Sequence, residues 1–298
     1  MARCAPVSTN PLAGARVGIV GTGVMAESML SGLLAQGLAL PAQVTCSHPR
    51  EERRAALREQ HGVAVTEDNA AAARDADVVL LAVKPQVLPE VFPELRAVLT
   101  PAQLVLSVVA GASTHALGEG LGHPAVVRAM PNTPAQIGQG VTVWYATESV
   151  TEEGKARARG ILSALGREFE VHHERQVAMA TAVSGTGPSY IFLFIEALVD
   201  AAVHLGFPRH LARELVLDTM QGSAAFALQS GLHIAELRDM VTSPGGTTAA
   251  AMYELERGKL RTVVSDAVWA AYERTLQLEA QLEGGDGATP RAPRRNER

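Results

Sequence analysis

The chain has 298 residues, 47% of them hydrophobic and 19% charged, roughly twice the usual domain length, so two folded domains are expected. Its 26 Lys and Arg stand against 31 Asp and Glu, a formal net charge of −5, which leaves no basic footprint for a phosphate backbone and excludes a nucleic-acid partner. Two cysteines, Cys4 and Cys46, have no spacing for a disulfide framework or a zinc site, so no bound metal and a reducing, cytoplasmic setting are expected.

Residues 1–15 contain Pro6, Asn10 and Pro11 and lack a continuous apolar run; they read as a disordered N-terminal extension and not as a signal peptide. From residue 16 to 172 short β-branched runs alternate with Ala-rich helical patterns, the mark of βαβ units on a parallel sheet. Strands are predicted over 16–20, 43–47, 77–83, 103–108 and 125–129, with 141–145 and 168–171 as later additions.

The first strand runs into Gly21-Thr22-Gly23-Val24-Met25-Ala26, with a helix beginning near Gly23. In a strand-turn-helix context this is a dinucleotide-binding turn. Gly21 permits the bend, Gly23 lets backbone approach a pyrophosphate, and Ala26 allows close helix packing. Thr22, Val24 and Met25 lie on the same turn. An NAD site would carry an acidic side chain after the second strand. This chain has Cys46-Ser47-His48-Pro49-Arg50 instead, and a hydroxyl and a guanidinium there favour a 2′-phosphate and thus NADPH, with NADH possible. Further cofactor contacts are expected at the ends of the next strands, at Ala82-Val83-Lys84-Pro85 and at Val108 to Ala110.

After Glu174 helical patterns dominate, so residues 173–283 read as an all-helical second domain following a Rossmann domain over 16–172. The uncharged stretch 176–195 approaches a membrane span in length, but it contains Gly185, Gly187 and Pro188 and is followed by Glu196 and Asp200; a buried helix and no membrane are expected. Residues 189–205 are apolar nearly all round, which points to a homodimer interface, with the central helix of a monomeric bundle as the alternative. In Val241-Thr242-Ser243-Pro244-Gly245-Gly246-Thr247-Thr248, Ser243 is predicted as helix N-cap and Pro244 as the first helical residue. Exposed amides and hydroxyls at such a helix start suit a carboxylate. Residues 284–298 read as a disordered tail.

Taken in order from residue 16 to 282, the chain resembles the Δ1-pyrroline-5-carboxylate reductases. The motifs that carry the likeness are the GxGxMA turn, Ala82-Val83-Lys84-Pro85-Gln86, Arg128-Ala129-Met130-Pro131-Asn132-Thr133-Pro134, Ser184-Gly185-Thr186-Gly187-Pro188 and the segment from Asp239 to Thr248. The resemblance implies an α/β Rossmann domain with an all-α dimerisation domain, homodimers that often assemble into decamers, and reduction of 1-pyrroline-5-carboxylate to L-proline. It implies a substrate carboxylate held by Ser243, Thr247 and Thr248, with the Thr248 hydroxyl reaching the ring nitrogen and Glu174 nearby. Cofactor contacts would fall on Gly21, Gly23, Ser47, Asn69, Lys84 and Ala110, with Asn132 near the nicotinamide. Val24 and Met240 depart from the common pattern. Two other enzymatic readings stay open: a reductase of a related cyclic imine, and a β-hydroxyacid dehydrogenase, against which the absence of lysine from 184–195 argues. A catalytically silent dinucleotide-binding protein is the third.

Overall fold

The computed structural model describes residues 10–284. The proposed disorder of residues 1–9 and 285–298 therefore lies outside the described residues. Residues 10–15, expected to be disordered, are folded. Leu12 is fully buried, and the Asn10 side-chain amide donates to the Leu38 carbonyl at 2.9 Å. An apolar side chain that reaches the core outweighs the turn-forming residues around it.

Val17–Val20 (β1) is buried at every position and leads through the glycine turn to Val24–Ala35 (α1). Val44–Ser47 (β2), Glu51–His61 (α2), Ala64–Thr66 (β3) and Asn69–Ala73 (α3) follow. Then come Val78–Leu81 (β4), Leu88–Arg96 (α4), Leu104–Ser107 (β5), Thr114–Leu121 (α5) and Val126–Met130 (β6). Gly140–Ala146 (β7), Glu152–Ser163 (α6) and Gly166–Glu170 (β8) complete one sheet in the order β3-β2-β1-β4-β5-β6-β7-β8. Every neighbouring pair is parallel except β6 with β7. Strands buried on both faces need helices on both sides, and two apolar layers supply them. One centres on Ile19, Met29, Leu33 and Trp144, the other on Val20, Leu81, Leu95 and Leu121. This is the doubly wound α/β Rossmann architecture, continued by two extra strands.

The two sheet edges differ from the centre. β3 is only three residues long and was absent from the sequence expectation. β8 alternates half-buried and exposed residues, and its Glu170 pairs with Lys155 at 3.1 Å and with Arg159 at 2.7 Å from α6.

Arg175–Ala180 (α7) passes through a π turn at Thr181–Gly185 to Gly187–His204 (α8). Arg209–Ser230 (α9), Ile234–Met240 (α10), Thr247–Arg257 (α11) and Leu260–Leu282 (α12) complete the helical part. The chain divides into two compact units, one running through Thr186 and resuming at Ala271, the other Gly187–Ala270. The first unit thus extends past the boundary at residue 172 drawn from sequence. Val177, Ala178 and Ala182 are buried in it, and Arg175 donates to the Tyr272 hydroxyl at 2.6 Å.

Within the second unit, α8 packs on α9, and the Arg209 guanidinium lies 2.9 Å from the Asp200 carboxylate. Residues Arg175–His204 are long and apolar enough to cross a membrane by length and composition alone. The first part of this segment buries Val177, Ala178 and Ala182, but from Gly187 on the expected burial is not met by the chain itself: Val199 is the one buried residue of α8, whereas Phe192 and Leu193 are more than 60% exposed.

Removing the Leu12 side chain tests whether residues 10–15 belong to the core. Leu12→Ala should lower the free energy of unfolding in urea by about 2 to 5 kcal/mol, the range for a fully buried leucine; an unchanged midpoint would place the segment outside the cooperative unit.

Candidate functional site

Strand order reverses between β1 and β4, which opens a crevice at their carboxyl ends. Gly21 lies there with φ of +83°, and a Cβ on it would fall 2.5 Å from Val83 Cγ1 and 2.9 Å from the Val83 backbone. No other residue fits. Gly23 caps α1 in an extended conformation without a side-chain hydrogen bond, and a Cβ on it would meet nothing within 4 Å. The helix closes its first bond from Glu27 N–H to Gly23 O at 2.9 Å. The amides of Val24, Met25 and Ala26 therefore have no intrahelical acceptor, and the positive end of the helix dipole points into open space. Val24 is exposed, Met25 is half-buried and Ala26 is fully buried, so α1 sits close on the sheet.

Several polar side chains expected to meet a cofactor are turned inward. Both the N–H and the hydroxyl of buried Thr22 donate to the Ser47 carbonyl, at 3.1 and 3.2 Å, which fastens the turn to β2. Ser47 is itself fully buried; its hydroxyl donates to Asn69 Oδ1 at 2.7 Å and accepts from Gly21 N–H at 3.4 Å. The Ser47 hydroxyl is thus not the free group that the sequence suggested for a 2′-phosphate. Asn69, the first residue of α3, in turn donates to Glu94 at 2.8 Å.

What remains at the end of β2 is cationic. Arg50 is exposed at the N-cap of α2, and its N–H donates to His48 Nδ1 at 3.2 Å. Burial first, then the charges of Arg50, Arg53 and Arg54, hold His48 below the ordinary histidine range. Arg53 reaches across to α1, donating to the Thr22 carbonyl at 3.4 Å and to Glu27 at 2.5 Å. Burial works to raise the Glu27 carboxyl, but Arg53 and then His61 hold it below its usual value. Nothing in the sequence announces the Glu27–Arg53 pair, whose members lie on different helices.

The other expected contacts line the same strand ends. Ala82 N–H donates to Val20 O at 2.9 Å and Val108 N–H to Leu81 O at 3.0 Å, extending the ladders beyond β4 and β5. Ala82, Val83, Pro85, Val108 and Ala110 are half-buried, while Lys84 is exposed just before a short 3₁₀ turn at Pro85–Val87.

Asn132 and Glu174 are also engaged by the protein. Asn132 donates to Ser184 O at 3.0 Å and accepts from Val141 N–H at 2.8 Å, tying the segment after β6 to the π turn. π turns recur at functional positions. Glu174 accepts from the Thr114 N–H and hydroxyl, both at 2.6 Å, and from Arg128 at 2.9 Å.

The second helix start lies in the other unit, and here the expected cap is corrected. Ser243 to Gly246 form a tight turn in which Gly246 N–H donates to Ser243 O at 3.1 Å and Gly245 has φ of +70°. Pro244 and Gly245 occupy the places a type II turn reserves for them. α11 consequently begins at Thr247, not at Pro244, with Gly246 as an N-cap that offers no side-chain bond. Thr247 is exposed, Thr248 half-buried, and a Cβ on Gly246 would lie 2.4 Å from Ser243 Oγ. One serine, two threonines and first-turn amides without an intrahelical acceptor stand at one positive helix end, chemistry that suits an anion.

Among the described residues no group of His, Cys, Asp and Glu could hold a metal ion. Burial pushes the Cys46 thiol up to about 11, so it is no nucleophile.

Comparison with known proteins identifies the family. A family profile described as pyrroline-5-carboxylate reductase dimerisation matches residues 174–278, and one described as NADP oxidoreductase coenzyme F420-dependent matches residues 16–111. The pyrroline-5-carboxylate reductase of Pseudomonas aeruginosa is 42% identical over 268 residues, covering 90% of this chain and 98% of the relative. The structure of the Coxiella burnetii pyrroline-5-carboxylate reductase is similar at a TM-score of 0.82 and 38% identity, covering 89% of this chain and 98% of that one. The Plasmodium falciparum pyrroline carboxylate reductase, solved with NADP bound, is similar at 0.81 and 30% identity with the same coverage. With 42% identity over 90% of its length and the dimerisation profile matched across residues 174–278, the chain belongs to the pyrroline-5-carboxylate reductase family.

Proposed function

We propose that the chain reduces 1-pyrroline-5-carboxylate to L-proline with NADPH, as a homodimer in the cytoplasm. One observation carries this reading: in a chain of this family, each unit presents a helix whose glycine N-cap leaves the first-turn amides open, α1 behind Gly23 and α11 behind Gly246. Two anionic groups are needed, and two receptors of matching charge are present: a pyrophosphate for α1 and a carboxylate for α11.

The residues at the crevice fit a dinucleotide. The open space before Gly23 admits the phosphates, Gly21, Val24 and Met25 supply backbone beside them, and Arg50 with the first turn of α2 offers the cation that a 2′-phosphate requires. Ala82, Val83, Lys84, Pro85, Val108 and Ala110 would flank the rest. Ser47, Asn69, Thr22 and Asn132 act from behind, fixing the turn, β2 and the segment after β6 by their hydrogen bonds. Bound NADPH supplies the hydride that the ring carbon of the C=N bond accepts.

The protein's own part is position and electrostatics. Ser243, Thr247 and Thr248 hold the substrate carboxylate at the α11 start, and the Thr248 hydroxyl orients the ring nitrogen. A protonated imine is already a good hydride acceptor, so the nitrogen's proton comes from solvent before reduction and no strong general acid is required. Holding reactants in near-attack geometry contributes on the order of 7 kcal/mol in favourable model systems, which makes orientation the dominant service here. Glu174, fully engaged by Thr114 and Arg128, serves the site through those partners.

Exposed apolar residues of α8, with the groove that Phe192, Leu193 and Leu217 line against α9, support a second copy of the chain as the covering surface. Sedimentation at several concentrations distinguishes a dimer from the decamer that the family resemblance suggests.

The direct test is NADPH oxidation with 1-pyrroline-5-carboxylate, its six-membered homologue and a β-hydroxy acid or its aldehyde in parallel; preference for either of the latter overturns the assignment. Thr248→Ala should lower kcat/KM on the order of a hundredfold, as for loss of one orienting donor, with NADPH affinity unchanged. Arg50→Ala should raise the Kd for NADPH about tenfold and leave NADH nearly unaffected, as expected for one lost charge-assisted contact; an unchanged ratio removes Arg50 from the 2′-phosphate. Gly23→Ala should leave the melting temperature unaltered yet weaken NADPH about tenfold or more, whereas Gly21→Ala should unfold the turn itself, since its left-handed φ alone costs roughly 1–2 kcal/mol.

A further inference from the structure

The sequence motif around Arg128 is not explained by contact with a ligand. Arg128 is on β6 with its side chain 4% exposed, yet it faces two carboxylates. One guanidinium nitrogen lies 2.9 Å from Glu174 and the other contacts Glu279 of α12. Glu174 also binds the backbone and hydroxyl of Thr114, at the start of α5. Just past the end of α12, Glu283 accepts from Ser113 at 2.5 Å. Gly111, with φ of +75°, lies against Leu278, whose Cβ would be 2.9 Å from a Cβ at that glycine.

Three of these contacts, at Gly111, Ser113 and Thr114, fall on the connection between β5 and α5 just after Ala110, and Arg128 joins the two carboxylates Glu174 and Glu279 behind it. We propose that the C-terminal part of α12 is a strap that holds this connection, with Arg128 as its clasp, and that Arg128 and Glu279 are positioning residues for the cofactor-facing segment 108–111. The chemistry supports this division of labour. A connection built as Gly111-Ala112-Ser113 has little side-chain bulk to define its own course, and the hydroxyls of Ser113 and of Thr114 after it are taken up by Glu283 and Glu174. Arg128 keeps two carboxylates together that would otherwise repel, so the strap, the start of α7 and the start of α5 are held by one planar cation presenting both nitrogens.

The cofactor arm of the test rests on the function proposed above; the exchange arm does not. In the full-length apo protein, amide hydrogen exchange over residues 110–116 should quicken about tenfold in Glu279→Gln while the strands keep their protection, the pattern of local opening. The Kd for NADPH should rise about tenfold in the same variant with kcat at saturating cofactor within about twofold, a loss in binding alone. Because Arg128→Met leaves two carboxylates facing each other and can fail to fold, Arg128→Lys and Glu283→Gln serve beside it: lysine should restore part of the protection, and Glu283→Gln should loosen residues 112–114. Unchanged exchange at 110–116 in Glu279→Gln, or a uniform rise over the whole sheet, overturns the strap. Failure of the unaltered protein to oxidise NADPH with the cyclic imine would instead overturn the functional reading and leave the exchange result to decide the strap.

Discussion

The first turn of a helix carries backbone N–H groups that the helix itself cannot satisfy, and the chain disposes of them in two ways. In α3, α5 and α6 the side chains of Asp68, Ser113 and Thr151 each accept one of them at 3.1 Å, closing the helix start. In α1 and α11 glycine occupies that position and no side chain closes it. A glycine cap thus leaves the first-turn amides without side-chain closure, a state that α2, α4 and α9 share behind Arg50, Val87 and Pro208. The rest of the Rossmann unit serves that arrangement: Gly21 turns the backbone against Val83, and Thr22 and Ser47 lock the turn to the neighbouring strand.

Most of the fold was legible because its strands are strongly apolar and bounded by breakers. The central strands, buried on both faces, differ from their expected limits by a residue or two. β3 escaped notice because three residues beside an edge carry too little periodicity to register. The start of α11 was misjudged for a physical reason: Ser-Pro is equally good at opening a helix and at opening a type II turn, and the two glycines that follow decide for the turn. Leu12 shows the opposite error, since local turn chemistry concealed a side chain with a place in the core.

Individual roles were harder to read than elements. The family resemblance suggests Ser47, Asn69, Asn132 and Glu174 for the site, but not the direction each faces, because their partners are scattered along the chain: Ser47 meets Asn69, Asn132 meets Ser184, and Glu174 meets Thr114 and Arg128. The Glu27–Arg53 pair shows the same limit. Such pairings depend on which helices become neighbours, and only the packed sheet settles that. The glycines were more readable, since a turn at φ of +83° admits hardly anything else.

The margins of the sheet govern where molecules of this protein can stick to one another. Unpaired strands invite foreign strands, and both margins are guarded: β3 offers only three residues, and β8 sets Arg167, Glu168 and Glu170 along a rim where lysine and arginine from α6 already claim the acids. Fibril-like growth through backbone ladders is thereby disfavoured. Adhesion is left to the greasy flanks of α8 and α9, where shape and not the main chain selects the companion.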